Sequence, residues 1–247
     1  MNKQKPKRST TKQKKKFNPA SVIIVIILFG FAWWYFMRPA SVPVDTTTKQ
    51  PKKSQTTVFN KRLHSTYDPS SPWVIVNKTR SLEPLNYTPG DLVPIGNDQL
   101  MRKEAADALQ NLIKSAANEG LNIAALSGYR SYKQQQGIYA SEVAAFGQAQ
   151  ADTQSAKPGT SEHQTGWAVD VGGGGCGIED CFGNTKEGKW VAANANRYGF
   201  IVRYTAPKQS ITGYRGEPWH IRYFGKELAA ELTKTGQTPE EFFGLSK

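Results

Sequence analysis

The chain has 247 residues, 38% hydrophobic and 11% aromatic, which suits one globular domain with extensions and not two full domains. Its 11 Phe, 10 Tyr and 6 Trp exclude disorder throughout, and its 2 Cys exclude a disulfide-stapled mini-scaffold. The net charge of +12 is concentrated in residues 1–38, which hold nine cations and no acid; the remaining 23 basic and 20 acidic side chains nearly balance, which argues against nucleic-acid binding.

Residues 1–16 form a basic tail with eight cations. Phe17 to Met37 is a 21-residue run without charge, centred on Val22-Ile23-Ile24-Val25-Ile26-Ile27-Leu28-Phe29. About 20 such residues at 1.5 Å rise span a hydrocarbon core of roughly 30 Å. The preceding cations favour the cytoplasm, so residues 17–38 read as a transmembrane signal-anchor, with the N-terminus inside and the rest outside. Trp33, Trp34 and Tyr35 fall where an interfacial aromatic belt is expected. The competing reading is a cleaved signal peptide, but its apolar region is usually shorter, about 7–15 residues. Residues 39–57, rich in Pro, Ser, Thr, Lys and Gln, read as a flexible stalk.

Residues 58–247 are then the folded domain. Val74-Ile75-Val76 is a short apolar run followed by turn residues. Gln99 to Glu119 carries Leu100, Ala105, Leu109, Leu112, Ile113 and Ala116 at helical spacing, with Gly120 as its stop. Asn122–Leu126 predicts a strand leading into Ser127-Gly128-Tyr129-Arg130-Ser131. A second helical pattern runs from Tyr132 to about Gln148, with Ile138, Val143 and Phe146 on one face. Trp167–Val171 is strand-like and Gly172 to Gly175 breaks it. A helix over Trp190–Tyr198, strands at Phe200–Arg203 and Trp219–Tyr223, and a last helix from Lys226 follow. The order is irregular, so a mixed α+β domain is expected and a doubly wound sheet is not.

Chemistry concentrates in two segments, Ser161-Glu162-His163-Gln164-Thr165-Gly166-Trp167-Ala168-Val169-Asp170 and Glu217-Pro218-Trp219-His220. His163, Asp170 and His220 offer two imidazoles and one carboxylate, suitable zinc ligands that leave a fourth position for water. Glu217 is the candidate general base. Residues three apart on a regular strand face opposite sides, so Pro218 must mark a turn or bulge for Glu217 and His220 to serve one site. Taken singly, each histidine also suits a hydrogen-bonded structural role, as His64 does best. Ser161 lacks a Gly-x-Ser-x-Gly elbow, and the four glycines lack the Lys-Ser/Thr of a phosphate loop. In an exported domain Cys176 and Cys181 can close a small surface disulfide; a metal-binding thiolate pair would lack two further ligands at short spacing.

Ser161–Asp170 fits an SxHxxGxAxD signature and Glu217–His220 an ExWH signature; together with Ser127–Ser131 and Gln135 they resemble the three motifs of VanY-like D-alanyl-D-alanine carboxypeptidases. The resemblance runs from about Val74 to Tyr223. It implies a small α+β zinc peptidase domain built on an antiparallel sheet with flanking helices, shared with the hedgehog signalling domain. It also implies zinc ligands at His163, Asp170 and His220, with Glu217 as the base that activates the attacking water. Arg130 would contact the scissile carbonyl or nearby charge, and Gln135 and Ser161 would hold the substrate. An arginine suits either oxyanion stabilisation or a two-pronged grip on a carboxylate.

The expectation is therefore a membrane-anchored, monomeric zinc carboxypeptidase outside a bacterial cell. It would remove the C-terminal D-alanine of peptidoglycan stem peptides or their precursors, at a D-Ala–D-Ala or an L-residue–D-Ala bond. The alternatives are an endopeptidase with the same zinc chemistry and a longer cleft, or a non-catalytic hedgehog-like zinc module.

Overall fold

The structure, a computed structural model, describes residues 59–245. The expected basic tail, transmembrane run and stalk, with Val58 of the domain, lie outside the described residues. Among the described residues no helix is long and apolar enough to cross a membrane.

The fold begins with an irregular segment and a hairpin of β1 (Leu92–Gly96) and β2 (Gln99–Arg102). Gly96, Asn97 and Asp98 all take positive φ in the turn, which Gly and Asn tolerate best. This corrects the expected helix over Gln99–Glu119: its first four residues are strand, because the Gly-Asn-Asp turn folds them back onto β1. Helix α1 (Lys103–Asn118) starts only then and buries Ala105, Ala106, Leu109, Leu112 and Ala116. Burying a leucine side chain is worth about 1.5–3 kcal/mol, so this stripe fixes α1 on the core.

After α1 come β3 (Ile123–Ser127), α2 (Tyr132–Phe146) and α3 (Gln148–Gln154). A single turn of 3-10 helix over Glu162–Thr165 leads into β4 (Ala168–Gly173), then α4 (Lys186–Asn194) and β5 (Phe200–Tyr204). The chain ends with α5 (Gln209–Thr212), β6 (Glu217–Tyr223), α6 (Lys226–Thr235) and α7 (Pro239–Phe243). The expected helix over Trp190–Tyr198 is thus shifted: α4 ends at Asn194, and Ala195–Tyr198 is a 3-10 turn closed by Gly199 in the left-handed region.

The four longer strands form one antiparallel sheet in the order β3-β4-β6-β5. Alternation separates its two faces. Val169 and Val171 of β4, Trp219, Ile221 and Tyr223 of β6, and Phe200 and Val202 of β5 join α1 in the main core. A second cluster of Trp73, Ile75, Phe224, Leu228, Leu232 and Phe242 takes Ile201 from β5. The observed architecture is the expected α+β class, with an antiparallel sheet and flanking helices.

Candidate metal centre and active-site cleft

β4 and β6 pair with Asp170 directly opposite His220. The alternation that sends Val169 and Ile221 into the core sends these two side chains to the other face. His163 reaches the same point from the 3-10 turn before β4. The three side chains are buried and offer ligand atoms that all lie within 4.8 Å of one another.

Glu217 and His220 are reconciled by an irregularity in β6. Val202 pairs with Ile221 but Tyr204 pairs with Glu217, so one intervening residue on β5 faces three on β6. The surplus residues around Pro218 form a bulge, which turns Glu217 to the side of His220. Both line one cleft of about 340 Å³, together with Arg130, Gln135, Ser161, His163 and Asp170.

The second nitrogen of each imidazole is fixed by an acceptor. His163 Nδ1 lies 2.7 Å from the Gly128 carbonyl oxygen, and His220 Nε2 lies 3.2 Å from Glu162 Oε2. Those nitrogens therefore carry hydrogen, and His163 Nε2 and His220 Nδ1 turn toward Asp170 at 3.3 and 2.9 Å. Arg130 Nη2 bridges His163 Nε2 and Asp170 Oδ2 at 3.0 and 2.7 Å, and a proton on His220 Nδ1 satisfies its contact with Asp170 in the metal-free site, where a metal ion would take its place. The donor set of two imidazoles and one carboxylate, backed by orienting acceptors, fits zinc.

Electrostatics sharpens the roles. Burial pushes the Glu217 carboxyl up to about 7, with Asp170 adding to the rise and His220 opposing it. Burial depresses His220, but hydrogen bonds to Asp170 and Glu162 outweigh it and take the ring up to about 9. Burial alone would raise Asp170, yet His163 and His220 hold it well below the usual carboxylate range. A buried carboxyl poised near neutrality beside a cluster of cation-seeking ligands suits proton transfer.

Arg130 sits between a bulge and a cap. The β3–β4 register slips between Ala125 and Ser127, and Ser131 caps α2 reciprocally with Gln134. The guanidinium donates to Ser127 Oγ at 3.0 Å and to Asp170 Oδ2 at 2.7 Å. Gly128 makes this loop feasible: a Cβ there would lie 2.3 Å from the Leu100 carbonyl oxygen. Gln135 is buried, and its amide accepts from Arg130 at 3.5 Å and donates to the Ala156 carbonyl at 2.9 Å. It therefore lines the cleft and also buttresses Arg130. Ser161 is buried on the cleft wall.

Further residues complete the cleft. Tyr204 stacks on the His220 ring at 4.9 Å. Ile138 and Phe146, expected on the buried face of α2, are 38% and 60% exposed and line the cleft instead. Only Gln135 of α2 is buried, because the helix forms a wall of the cleft and not a layer of the core. Glu162, adjacent to His163, was the one such residue that its motif position could have flagged. Cys176 and Cys181 are joined by a disulfide with Cα atoms 6.0 Å apart, and Ile178 within that loop reaches the cleft rim. His64 packs edge-on against Trp73 and is not among the cleft residues.

Comparison with known proteins gives this geometry a family. The family model described as VanY: D-alanyl-D-alanine carboxypeptidase matches residues 98–226. A provisionally named carboxypeptidase of Bacillus subtilis (strain 168), YodJ, is 43% identical over 192 residues, covering 73% of this chain and 70% of its own. The solved LD-carboxypeptidase LdcB is 43% identical with a TM-score of 0.67, over 72% of this chain and 88% of that one. A variant of the vancomycin-resistance D,D-pentapeptidase VanY from a VanB-type cassette, solved with Zn(II), is 34% identical with a TM-score of 0.61, over 68% and 97%.

Proposed function

The chain belongs to the VanY family of D-alanyl-D-alanine carboxypeptidases, which are zinc metallopeptidases, and on that premise we propose that it removes the C-terminal D-alanine from peptidoglycan stem peptides. The observation that carries this reading is the convergence of His163, Asp170 and His220 with the buried Glu217 in one cleft. The preferred bond is the L-residue–D-Ala bond of a tetrapeptide, since LdcB is 43% identical and the D,D-pentapeptidase 34%.

His163, Asp170 and His220 would hold the zinc ion. When bound, zinc supplies Lewis-acid chemistry, lowering the pKa of water and polarising the scissile carbonyl. Glu217 takes a proton from the attacking water and returns it to the amine nitrogen of the departing D-alanine as the C–N bond breaks. Arg130 donates to the oxygen on which negative charge develops, and Gln135 holds Arg130 for that task. Ser161 hydrogen-bonds the peptide from the cleft wall.

The domain acts outside a bacterial cell as a monomer, tethered by the anchor at residues 17–38 through the stalk at 39–57. The charge asymmetry about that run supports this orientation.

The test is incubation of the exported domain with zinc and two synthetic stem peptides, a pentapeptide ending in D-Ala–D-Ala and a tetrapeptide ending in one D-Ala. Chelator-sensitive release of D-alanine, faster from the tetrapeptide, is expected. Preference for the pentapeptide would reverse the bond assignment. Release from neither, in protein that holds zinc, would overturn the carboxypeptidase reading in favour of an endopeptidase or a non-catalytic module.

A further inference from the structure

Behind the three ligands lies a line of buried charge that the reaction does not use. Glu162, Arg203, Glu240 and Arg222 are each at most 2% exposed. Arg203 donates from Nε to Glu162 Oε1 at 2.8 Å and from its terminal nitrogens to both oxygens of Glu240, at 2.5 and 3.1 Å. Asn77 donates to Glu240 Oε1 at 3.0 Å. Arg222 Nε lies 3.6 Å from Glu162 Oε1. Two cations and two anions thus cancel in a place where an unpaired charge would cost several kcal/mol.

The division of labour within Glu162 gives the line its meaning. Oε1 faces the arginines, whereas the hydrogen-bond partner of Oε2 is Nε2 of His220. The turn at Glu162–Thr165 therefore supplies one ligand, His163, and by its preceding residue the acceptor that orients another. Tyr204 stacks on the same ring, so the carboxylate fixes its rotation and leaves the hydrogen on Nε2 and the lone pair on Nδ1. Carboxylate partners of ligating histidines set both the tautomer and the basicity of the ring.

We propose that Glu162 is a positioning residue of the metal centre, held by Arg203 and Glu240, so that helix α7 and Asn77 support the ligand His220 from outside the family-matched residues 98–226. This rests on the zinc reading above. Arg203 hydrogen-bonds one oxygen of the carboxylate, with the Arg222 charge 3.6 Å from it, and the other oxygen is committed to the ring. A network serving only stability could be replaced by apolar packing of the same shape; this one ends on a ligand.

The experiment measures zinc affinity by competition with a chromogenic chelator on the full chain in detergent, for the parent, Glu162→Gln, Glu240→Gln and, as a control, Leu228→Ala. Leu228 belongs to the second hydrophobic cluster and touches none of these charges in the hydrogen-bond network. Folding is checked by circular dichroism, and the His220 Nε2–H is followed by imidazole proton–nitrogen NMR. Glu162→Gln is expected to weaken zinc 10–100-fold and to shift that resonance. Glu240→Gln is expected to do both to a smaller extent, and it carries the test if Glu162→Gln does not fold. Leu228→Ala should lower Tm with zinc affinity unchanged. Parent-like affinity in folded Glu162→Gln, or in folded Glu240→Gln when it alone can be studied, would overturn the proposal, as would an equal loss in Leu228→Ala. A parent chain that binds no zinc would instead overturn the metal reading itself.

Discussion

Asp170 and His220 are direct cross-strand neighbours on β4 and β6, with Oδ1 and Nδ1 2.9 Å apart. Two of the three candidate ligands are thus placed by the register of a sheet whose opposite face is buried, and not by a loop. A slip of one residue would carry both ligands into the core and Val169 and Ile221 out of it, so register and site are enforced by the same burial. His163→Ala should lose both bound zinc and activity, with the far-UV spectrum unchanged. Retention of zinc at parent stoichiometry, read by elemental analysis, would remove His163 from the ligand set.

Glu217→Gln separates metal binding from turnover. Loss of the proton acceptor should slow hydrolysis by about 10²–10⁴-fold, while the zinc content stays that of the parent. A variant turning over at the parent rate would show that some other group takes the proton.

The same residue predicts a pH-dependent cost of folding in metal-free protein. Its carboxyl is raised from 4.5 to about 7 by burial, so the folded state holds the proton more tightly than the unfolded one. Its contribution is then present in full below pH 4.5 and is lost as pH rises through 7. In chelator-treated protein, Glu217→Gln should therefore raise Tm relative to the parent at pH 8, by at most about 3 kcal/mol of stability, and not at pH 4. Equal differences at both pH values would refute the shift.

Gly128→Ala tests the loop that carries Arg130. The added Cβ meets the Leu100 carbonyl at 2.3 Å, so backbone must move, at about 1–3 kcal/mol. The carbonyl of the same residue orients His163. Lower Tm should therefore be accompanied by weaker zinc binding, and a drop in Tm with zinc affinity intact would mean that the loop relaxes away from His163.

The exposed apolar residues of α2 should matter to substrate and not to folding. Phe146→Ala and Ile138→Ser should leave stability within about 0.5 kcal/mol and raise KM for a stem peptide several-fold. Unchanged KM in both would place the peptide against other lining residues of the cleft, such as Ile178 and Arg215.

Opening the Cys176–Cys181 loop should cost about 2 kcal/mol, the loop-closure entropy of so short a ring. Differential scanning with and without reductant measures it. Asp180 within that loop pairs with Arg215 of the cleft at 3.1 Å, so Cys181→Ser should also raise KM. A reduced protein of unchanged Tm would make the disulfide incidental to stability.

By itself the sequence determined the α+β class, the stripe of α1 and most strands, because hydrophobic period is a local property of the chain, and it offered His163, Asp170, His220 and Glu217 as one set through their resemblance to the VanY motifs. It also determined that Cys176 and Cys181 were close enough in the chain to be joined. What only the tertiary structure decided depends on contacts between distant segments. The bulge in β6 that brings Glu217 beside His220 is defined by its pairing with β5. The exposure of Ile138 and Phe146 follows from what α2 does not pack against, which no period within the helix encodes. The hairpin that claims Gln99–Arg102 is a contest between a helical pattern and a turn, settled when β2 found β1. The link from Asn77 and Glu240 through Arg203 and Glu162 to His220 joins residues 163 apart in the chain, and only folding into a dry interior makes those charges seek one another.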